Sequence, residues 1–262
     1  MPDRVTAPSL RARKQEGKKI VCVTAYDAYF AGLADRAGVD LILVGDSVGN
    51  TMLGYENTLP VTLDEMLHHT RAAARGVQRA LLVADLPFGS YQVSREQALA
   101  ASIQLIKAGA HAVKFEGEDA DLVRAHVQAG IPVIGHLGMT PQSVNAFGGF
   151  RVQGRQAADA EELLAHAKAL DEAGASAYVL ELIPAELAAQ ISSQTSSPSI
   201  GIGAGAGCDG QIQVLHDLLG FADRTYRHAK AYMDGQSQVI AALESYGSEV
   251  REGAFPGPEN EF

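Results

Sequence analysis

The chain is poor in cysteine: Cys22 and Cys208 are the only two in its 262 residues. Two cysteines are too few for a disulfide framework, and each of them lies within or beside an apolar run. We therefore expect both thiols to be reduced and to have a structural role.

The start of the chain lacks a long apolar stretch. Its first 20 residues are rich in arginine and lysine, but they contain no run long enough for a signal-sequence core or a membrane span. A cytosolic location is therefore predicted. The net charge of −10 repels polyanions, and no cluster of lysine and arginine interrupts it. Neither nucleic acid nor a membrane is expected as a partner.

No segment has the composition of a linker. With 47% apolar and 20% charged residues, the chain resembles an ordinary globular protein with enough material for a large core. The length fits one large barrel or two small domains, and the missing linker favours one. We predict a single domain over residues 1–262.

Short apolar or β-branched runs alternate with helical patterns along the chain, which is typical of parallel βαβ units. The predicted strands are Val21–Ala25, Leu41–Val44, Leu81–Ala84, Ala112–Phe115, Pro132–Ile134, Ala177–Leu180 and Ser199–Ile202. An eighth strand is needed to close a barrel, and Gln213–His216 is the candidate.

The ends of the predicted helices repeat as well. An Ala-Gly pair precedes four of the strands, at Gly38, Gly109, Gly130 and Gly174, where glycine can adopt the left-handed conformation that ends a helix. The sequence therefore predicts an α/β fold, a (β/α)8 TIM barrel. Additional helices are expected around Ser9–Glu16 before the first strand and around Gln238–Tyr246 as a C-terminal extension. A doubly wound open sheet is the alternative fold.

Ionisable residues follow successive predicted strands. In a barrel the carboxyl ends of the strands form the active face, so these residues are expected to share one mouth. They are Asp46, Asp85, Lys114 with Glu116, His136, and Glu181.

Three of these acids point to a metal ion. Asp46, Asp85 and Glu116 follow neighbouring strands, and converging carboxylates repel unless a cation or protons lie among them. All-oxygen ligands favour Mg2+ over zinc, and no second histidine or cysteine accompanies His136 on a neighbouring strand end. We predict a magnesium site.

The remaining ionisable residues can bind a substrate or accept a proton. Lys114 lies two positions from Glu116, hence on the same side of a strand, and can either form an ion pair with it or bind a substrate carboxylate. Glu181 ends an apolar run, where partial burial favours a general base, although a structural acid is the alternative. His136 is equally suited to a hydrogen-bonded packing role or to a catalytic one.

Glycines recur at Gly201, Gly203, Gly205 and Gly207. Gly201, Gly203 and Ala206 fit a dinucleotide fingerprint, but that fingerprint should open a helix and be followed by an acid about twenty residues on, and Tyr226 lies near that offset. We predict a glycine-lined wall for a planar or anionic ligand. The segments Gly49–Pro60 and Leu137–Arg155 are expected to be long loops, suited to be lids or binding loops.

Six segments resemble the ketopantoate hydroxymethyltransferase family, in the same order and with similar spacing. The segments are Val44–Ser47, Thr58–Thr62, Ala84–Phe88, Val113–Gly117, Gly135–Gln142 and Ile200–Gly205. Departures lie later in the chain. They are the Ser/Thr-rich segment 192–199, the tail 255–262, and Ala222-Asp223-Arg224, where the family has a glycine-containing turn.

The resemblance implies a (β/α)8 barrel that transfers a one-carbon unit from 5,10-methylenetetrahydrofolate to 3-methyl-2-oxobutanoate, giving 2-dehydropantoate for pantothenate and coenzyme A synthesis. It implies that Asp46 and Asp85 bind Mg2+ with Glu116 completing the site. It also implies that Asp46, Ser47, Asp85 and Lys114 contact the oxo acid, and that Glu181 is the base. Family members are commonly decamers, so a homo-oligomer is expected.

Two other functions remain open at this point. One is a related Mg2+-dependent barrel that cleaves or rearranges oxo acids, because an acidic enolate site also serves lyases and mutases. The other is a non-catalytic barrel that binds a folate or a small anion. Five strand ends with ionisable groups argue against the second function.

Overall fold

The computed structural model describes residues 4–222 and 226–262, and it divides into two compact units, Met1–Val214 and Leu215–Phe262. Of the predicted departure Ala222-Asp223-Arg224, the last two residues lie outside the described part. The single domain over residues 1–262 stays a prediction.

The first unit is a closed parallel barrel in which each strand pairs with the next in chain order and the last pairs with the first. The strands are β1 (Ile20–Thr24), β2 (Leu41–Val44), β3 (Leu81–Asp85), β4 (Ala112–Lys114), β5 (Val133–Gly138), β6 (Ala177–Glu181), β7 (Ser199–Ile202) and β8 (Gly210–Gln213). The helices of this unit are α1 (Ala7–Gln15), α2 (Ala28–Arg36), α3 (Val48–Thr51), α4 (Leu63–Gly76), α5 (Arg95–Lys107), α6 (Ala120–Gln128), α7 (Val144–Phe147), α8 (Ala157–Glu172) and α9 (Ala185–Gln194).

Local sequence signals set where the helices begin and end. Thr62 and Glu65 form a reciprocal capping box at the start of α4, which satisfies two backbone N–H groups that the helix leaves unpaired. The four predicted glycine stops all adopt positive φ, from +79° at Gly130 to +116° at Gly109. The predicted glycine stops are therefore confirmed, and each lets the chain turn from a helix into the next strand.

The closed barrel confirms the predicted (β/α)8 fold and excludes the open-sheet alternative for the described residues. The predicted eighth strand, Gln213–His216, is wrong in its bounds. Strand β8 is Gly210–Gln213, and α10 (Leu215–Leu218) occupies the second half of the predicted segment. The reason is steric: a Cβ at Gly210 would lie 2.5 Å from the carbonyl oxygen of Ile20, so only glycine permits this pairing with β1.

The core fills the inside of the barrel with alternate residues of the strands, as the two-residue period of a strand requires. Leu41 and Leu43 of β2 and Leu81 and Val83 of β3 belong to this cluster. Helix α1 adds Leu10, which is fully buried in the same cluster. The predicted helix Ser9–Glu16 is thus confirmed, and it completes the core.

The second unit contains α10, α11 (Gly235–Glu252) and a 3-10 turn at Pro258–Asn260. Backbone hydrogen bonds from Tyr232 to Leu218 and from Gly235 to Leu219 connect α10 to the start of α11. Helix α11 includes the predicted helical tract Gln238–Tyr246. Within the two described stretches of the chain, no helix is both long and apolar enough to span a membrane.

Candidate active site

The inward face of the barrel changes from apolar to ionisable at the carboxyl ends of the strands. On β3 the core residues Leu81 and Val83 are followed on the same face by Asp85. In the same way, β6 continues from the core residue Val179 to Glu181. The period of two residues therefore delivers the predicted site residues to one layer above the core.

Asp46 and Asp85 are joined directly. The backbone N–H of Asp46 donates to Asp85 Oδ2 at 3.0 Å, and both side chains are buried. Gly45 makes room for this contact, because a Cβ there would lie 2.8 Å from Ser47 Oγ and 3.4 Å from Asp85 Oδ2. The turn after β2 thus places the two predicted metal ligands side by side.

Lys114 is the counter-ion of this layer. Its Nζ lies 2.9 Å from Asp85 Oδ1, and strands β3 and β4 are in register at these two residues. Burial opposes the charge of the ammonium, but Asp85, Glu116 and Asp46 outweigh it and raise the pKa of Lys114. The ion pair of Lys114 is therefore with Asp85, whereas the two-residue spacing had suggested Glu116 as its partner.

The carboxylates repel one another in this buried layer. Burial, and then the charges of Asp85 and Glu116, raise the pKa of Asp46 to about 8. Burial also raises the pKa of Asp85, although Lys114 acts against it. The ionised carboxylates are therefore disfavoured here by burial first and by their mutual repulsion second, and a bound cation would relieve both.

His136 lies between two carboxylates. Its Nδ1 is 3.5 Å from Glu116 Oε1, and its Nε2 is 3.2 Å from Glu181 Oε2. Burial and Lys114, whose Nζ is 3.3 Å from Nδ1, favour the neutral ring, but the two glutamates outweigh them and raise the pKa of His136 to about 9. The ring therefore links Glu116 to Glu181.

The backbone around Glu181 is held in an unusual conformation. Leu182 has φ +46°, which is costly for a residue with a side chain, and its N–H donates to the carbonyl of Ile202 at 2.9 Å. The carbonyl of Glu181 accepts from Met139 N at 2.8 Å, and a Cβ at Gly138 would lie 2.3 Å from it. These contacts fix the exit of β6 and the direction of the Glu181 side chain.

Ser47 is oriented from beneath the site. Tyr26, which is 1% exposed, follows β1, and its hydroxyl lies 2.8 Å from Ser47 Oγ. The structure thus brings all the predicted site residues to one end of the barrel: Asp46, Ser47, Asp85, Lys114, Glu116, His136 and Glu181.

Gln142 and Tyr91 belong to the same cluster, although the sequence analysis assigned them no role. Gln142 Nε2 donates to Asp46 Oδ2 at 2.8 Å, and its backbone N–H donates to Glu116 Oε2 at 2.9 Å. The hydroxyl of Tyr91 donates to Gln142 Oε1 at 2.7 Å. The available signal was the motif Gly135–Gln142, but nothing in it distinguishes Gln142 from a loop residue.

The glycine-rich segment follows β7 and leads into β8, so it does not open a helix as a dinucleotide fingerprint would. A Cβ at Gly205 would lie 2.5 Å from Ala185 Cβ, and one at Gly207 would lie 2.7 Å from Ala189 Cβ. Both glycines therefore allow close packing against α9. The ligand-binding wall predicted for this segment stays a prediction.

The two predicted long loops are partly ordered into regular elements. Leu137 and Gly138 belong to β5, and the rest of that segment includes a 3-10 turn at Pro141–Ser143 and α7. Helix α3 begins one residue before the other segment and includes its first three residues. The predicted start of the second loop, at Leu137, is wrong because strand β5 extends past Ile134 through residues without β-branched side chains.

Comparison with known proteins identifies the family. A sequence model described as ketopantoate hydroxymethyltransferase matches residues 4–258. This chain belongs to the ketopantoate hydroxymethyltransferase family. A protein named 3-methyl-2-oxobutanoate hydroxymethyltransferase from Chloroflexus aurantiacus is 55% identical to this chain, and the match covers 98% of this chain and 92% of that protein. A protein of the same name from Moorella thermoacetica is also 55% identical, with 99% of this chain and 98% of that protein covered. The predicted resemblance is confirmed, and the chain is an enzyme of the hydroxymethyltransferase class.

Solved structures with the same fold are more distant in sequence. Phosphonopyruvate hydrolase in complex with oxalate and Mg++ has a TM-score of 0.63 at 17% identity, covering 97% of this chain and 93% of that one. A 2,3-dimethylmalate lyase, described as a PEP mutase/isocitrate lyase superfamily member, has a TM-score of 0.60 at 19% identity, covering 98% and 92%. At this identity the likeness supports the barrel fold alone.

Proposed function

We propose that this hydroxymethyltransferase takes its one-carbon unit from 5,10-methylenetetrahydrofolate, transfers it to 3-methyl-2-oxobutanoate and forms 2-dehydropantoate for pantothenate and coenzyme A synthesis. The observation that carries the proposal is the buried cluster at the strand ends. It combines an excess of carboxylates with one lysine and with a separate glutamate that is suited to accept a proton. Family membership supplies the substrate class.

The proposal includes a Mg2+ ion, and the side chains fit it. Asp46 and Asp85 are buried and adjacent, and burial, followed by the charges of Asp85 and Glu116, raises the pKa of Asp46 to about 8. Among residues 4–222 and 226–262, no group of three or more histidine, cysteine or acidic side chains is arranged to bind a metal ion by itself. Asp46 and Asp85 would therefore hold the ion together with water and substrate oxygens, and Glu116 would support them.

When bound, Mg2+ supplies positive charge against which the charge of an enolate can develop. The protein supplies the other contacts. Lys114 places its ammonium where it can attract the carboxylate of the oxo acid, and Ser47, held by Tyr26, can donate a hydrogen bond to it. These contacts orient C3 of the substrate toward the side of the barrel where β6 ends.

Glu181 is the proposed base. Its side chain is 14% exposed, so it is accessible at the mouth and yet partly removed from water. It accepts the C3 proton, and the electron pair left on C3 forms the new carbon–carbon bond with the methylene carbon of the folate. The overall transfer consumes one water, whose oxygen becomes the new hydroxyl group. His136, beside Glu181, can hydrogen bond an oxygen of the intermediate.

The test of the base is exchange of the C3 proton into deuterated water without folate. We expect wild-type protein with Mg2+ to exchange this proton and Glu181→Gln to lose the exchange. Exchange by Glu181→Gln at the wild-type rate would mean that another group removes the proton. Loss of Mg2+ dependence in Asp46→Ala and Asp85→Ala tests the metal ligands, and full activity in chelator would contradict that assignment.

Formation of 2-dehydropantoate, followed with and without methylenetetrahydrofolate and with and without Mg2+, tests the whole reaction. A product that forms equally well without the folate would favour a lyase or mutase reaction at the same acidic site instead. Folate binding without any turnover would favour a non-catalytic barrel.

We also propose that the enzyme is a cytosolic homo-oligomer, with a decamer as the assembly that the family suggests. Size-exclusion chromatography with light scattering tests the number of subunits. A monomer at micromolar concentration would contradict the proposal.

A further inference from the structure

Gln142 connects the two sides of the carboxylate cluster. It lies in the 3-10 turn that follows β5, it is 5% exposed, and it reaches Asp46, which follows β2. Its backbone N–H holds Glu116, which follows β4. One residue therefore contacts two acids that belong to different strands of the barrel.

The side chain of Gln142 uses all of its hydrogen-bonding capacity. Its NH2 group donates to Asp46 Oδ2 and to the carbonyl of Leu86 at 3.0 Å, and its Oε1 accepts from Tyr91 at 2.7 Å and from Gln92 Nε2 at 3.2 Å. A carboxamide has two N–H donors and one oxygen with two lone pairs, so none of them is left over.

These partners also fix the orientation of the amide. The carbonyl of Leu86 can only accept, so the NH2 group must face Leu86 and Asp46. The Tyr91 hydroxyl then faces Oε1 as a donor, and the oxygen of the same hydroxyl accepts the backbone N–H of Glu116 at 3.3 Å. Rotation of the amide would bring its oxygen against the carbonyl oxygen of Leu86.

We propose that Gln142 is a positioning residue, which presents the carboxylates of Asp46 and Glu116 in the arrangement that binds the divalent cation, and that Tyr91 fixes the Gln142 amide for this task. The inference rests on the proposed function, because it assigns these carboxylates to the cation site. Gln142 acts through the acids and does not contact the reacting atoms.

Outer partners of metal ligands usually contribute about 10- to 100-fold to metal affinity. Gln142→Met keeps the length of the side chain and removes its four side-chain hydrogen bonds, while the backbone hydrogen bond to Glu116 remains. We expect Mg2+ binding to weaken by about 10- to 100-fold. Saturating Mg2+ should then restore most of kcat. Tyr91→Phe removes one neutral hydrogen bond and should weaken binding by about 2- to 10-fold, since such a bond contributes about 0.5–1.5 kcal/mol.

The experiment measures Mg2+ binding by titration calorimetry on the full-length protein, together with kcat and KM for the oxo acid. Gln104→Met makes the same chemical change on the exposed surface of α5 and should bind Mg2+ like the wild type. Leu10→Ala lowers the stability of the barrel from its opposite end, and it should leave the Mg2+ affinity unchanged.

Wild-type Mg2+ affinity in Gln142→Met would overturn the inference. An equal loss of Mg2+ affinity in Leu10→Ala would also overturn it, because lower stability alone would then explain the weaker binding. If Gln142→Met fails to fold, Tyr91→Phe decides, and wild-type affinity in that variant would overturn the inference. Failure of the proposed function would give a different result. The wild type would then form no 2-dehydropantoate, whereas the expected order of Mg2+ affinities among the variants would be unaffected.

Discussion

Replacing Lys114 by methionine tests how the buried cluster is balanced. The Lys114 and Asp85 side chains lie 2.9 Å apart and are 5% and 3% exposed. Two unit charges at that distance attract by about 6 kcal/mol at an effective dielectric constant of about 20. The ammonium loses hydration on burial, which reduces the net contribution. We therefore expect Lys114→Met to lower the free energy of unfolding of the metal-free protein by about 3–5 kcal/mol.

A second substitution separates the ion pair from simple loss of packing. Asp85→Asn in the Lys114→Met background removes a charge that no longer has a partner, so it should cost less than about 1 kcal/mol or even restore stability. The coupling energy of the double-mutant cycle should be about 3 kcal/mol.

The assay is urea unfolding in the presence of a chelator, followed by far-ultraviolet circular dichroism, because the chain contains no tryptophan to serve as a fluorescent probe. A coupling energy below about 0.5 kcal/mol, the usual limit of additivity, would refute the reasoning. So would a fully stable Lys114→Met protein, since it would mean that the carboxylates need no internal counter-ion.

Three further predictions concern other parts of the barrel. Burial opposes the charge of Asp171, but hydrogen bonds from Ser196 and Ser197 outweigh it and lower its pKa. Asp171→Asn should therefore cost about 1–2 kcal/mol of unfolding free energy at neutral pH. This difference between variant and wild type should narrow as the pH falls below about 4, because the wild-type carboxylate becomes protonated at its lowered pKa. A difference in unfolding free energy that widens in acid would contradict the prediction. Gly205→Ala should cost about 2–3 kcal/mol through its φ of +78° and the contact with α9, whereas Gly17→Ala, at φ +67° with open space, should cost about 1–2 kcal/mol in the same unfolding assay. Tyr26→Phe should raise KM for the oxo acid about 2- to 10-fold by releasing Ser47, and an unchanged KM would remove that role.

The strand ends were predictable because short, continuous segments of sequence contain both the strand and the ionisable residue that follows it. An apolar run followed by Asp85 or by Glu181 indicates both the strand and the place where it opens to the mouth. The parallel barrel then brings these ends together without any information about individual contacts. For this reason the sequence alone predicted the fold and most of the residues that the structure brings together at the mouth of the barrel.

Other features depend on contacts between distant parts of the chain. Strand β8 has a single apolar side chain, Ile212, and begins with a glycine, so its own composition argues against a strand. Close approach to β1 outweighs that propensity. Gln142 likewise has a role only because Asp46, Leu86 and Tyr91 surround it in space.

The Ser/Thr-rich segment before β7 also acquires a physical explanation. Ser196 and Ser197 direct their N–H groups to the Asp171 carboxylate near the end of α8, and the hydroxyl of Ser197 donates to the carbonyl of Ala175. Short hydroxyl side chains suit this tight turn because they satisfy backbone groups locally. The segment therefore runs from the end of α9 into β7, and its hydrogen bonds to Asp171 attach it to α8.

The pairing of β1 with β8 has a consequence for folding. Ile20 and Gly210 are partners in the barrel although 190 positions separate them in the chain (210 − 20). A ribosome-bound chain that has not yet released Gly210 must leave one edge of β1 and one edge of β7 without their native neighbours. Unpaired strand edges are templates for association with other chains, and contacts between such distant residues form slowly. We therefore expect a partly synthesised chain that lacks β8 to be more prone to aggregate than the closed barrel.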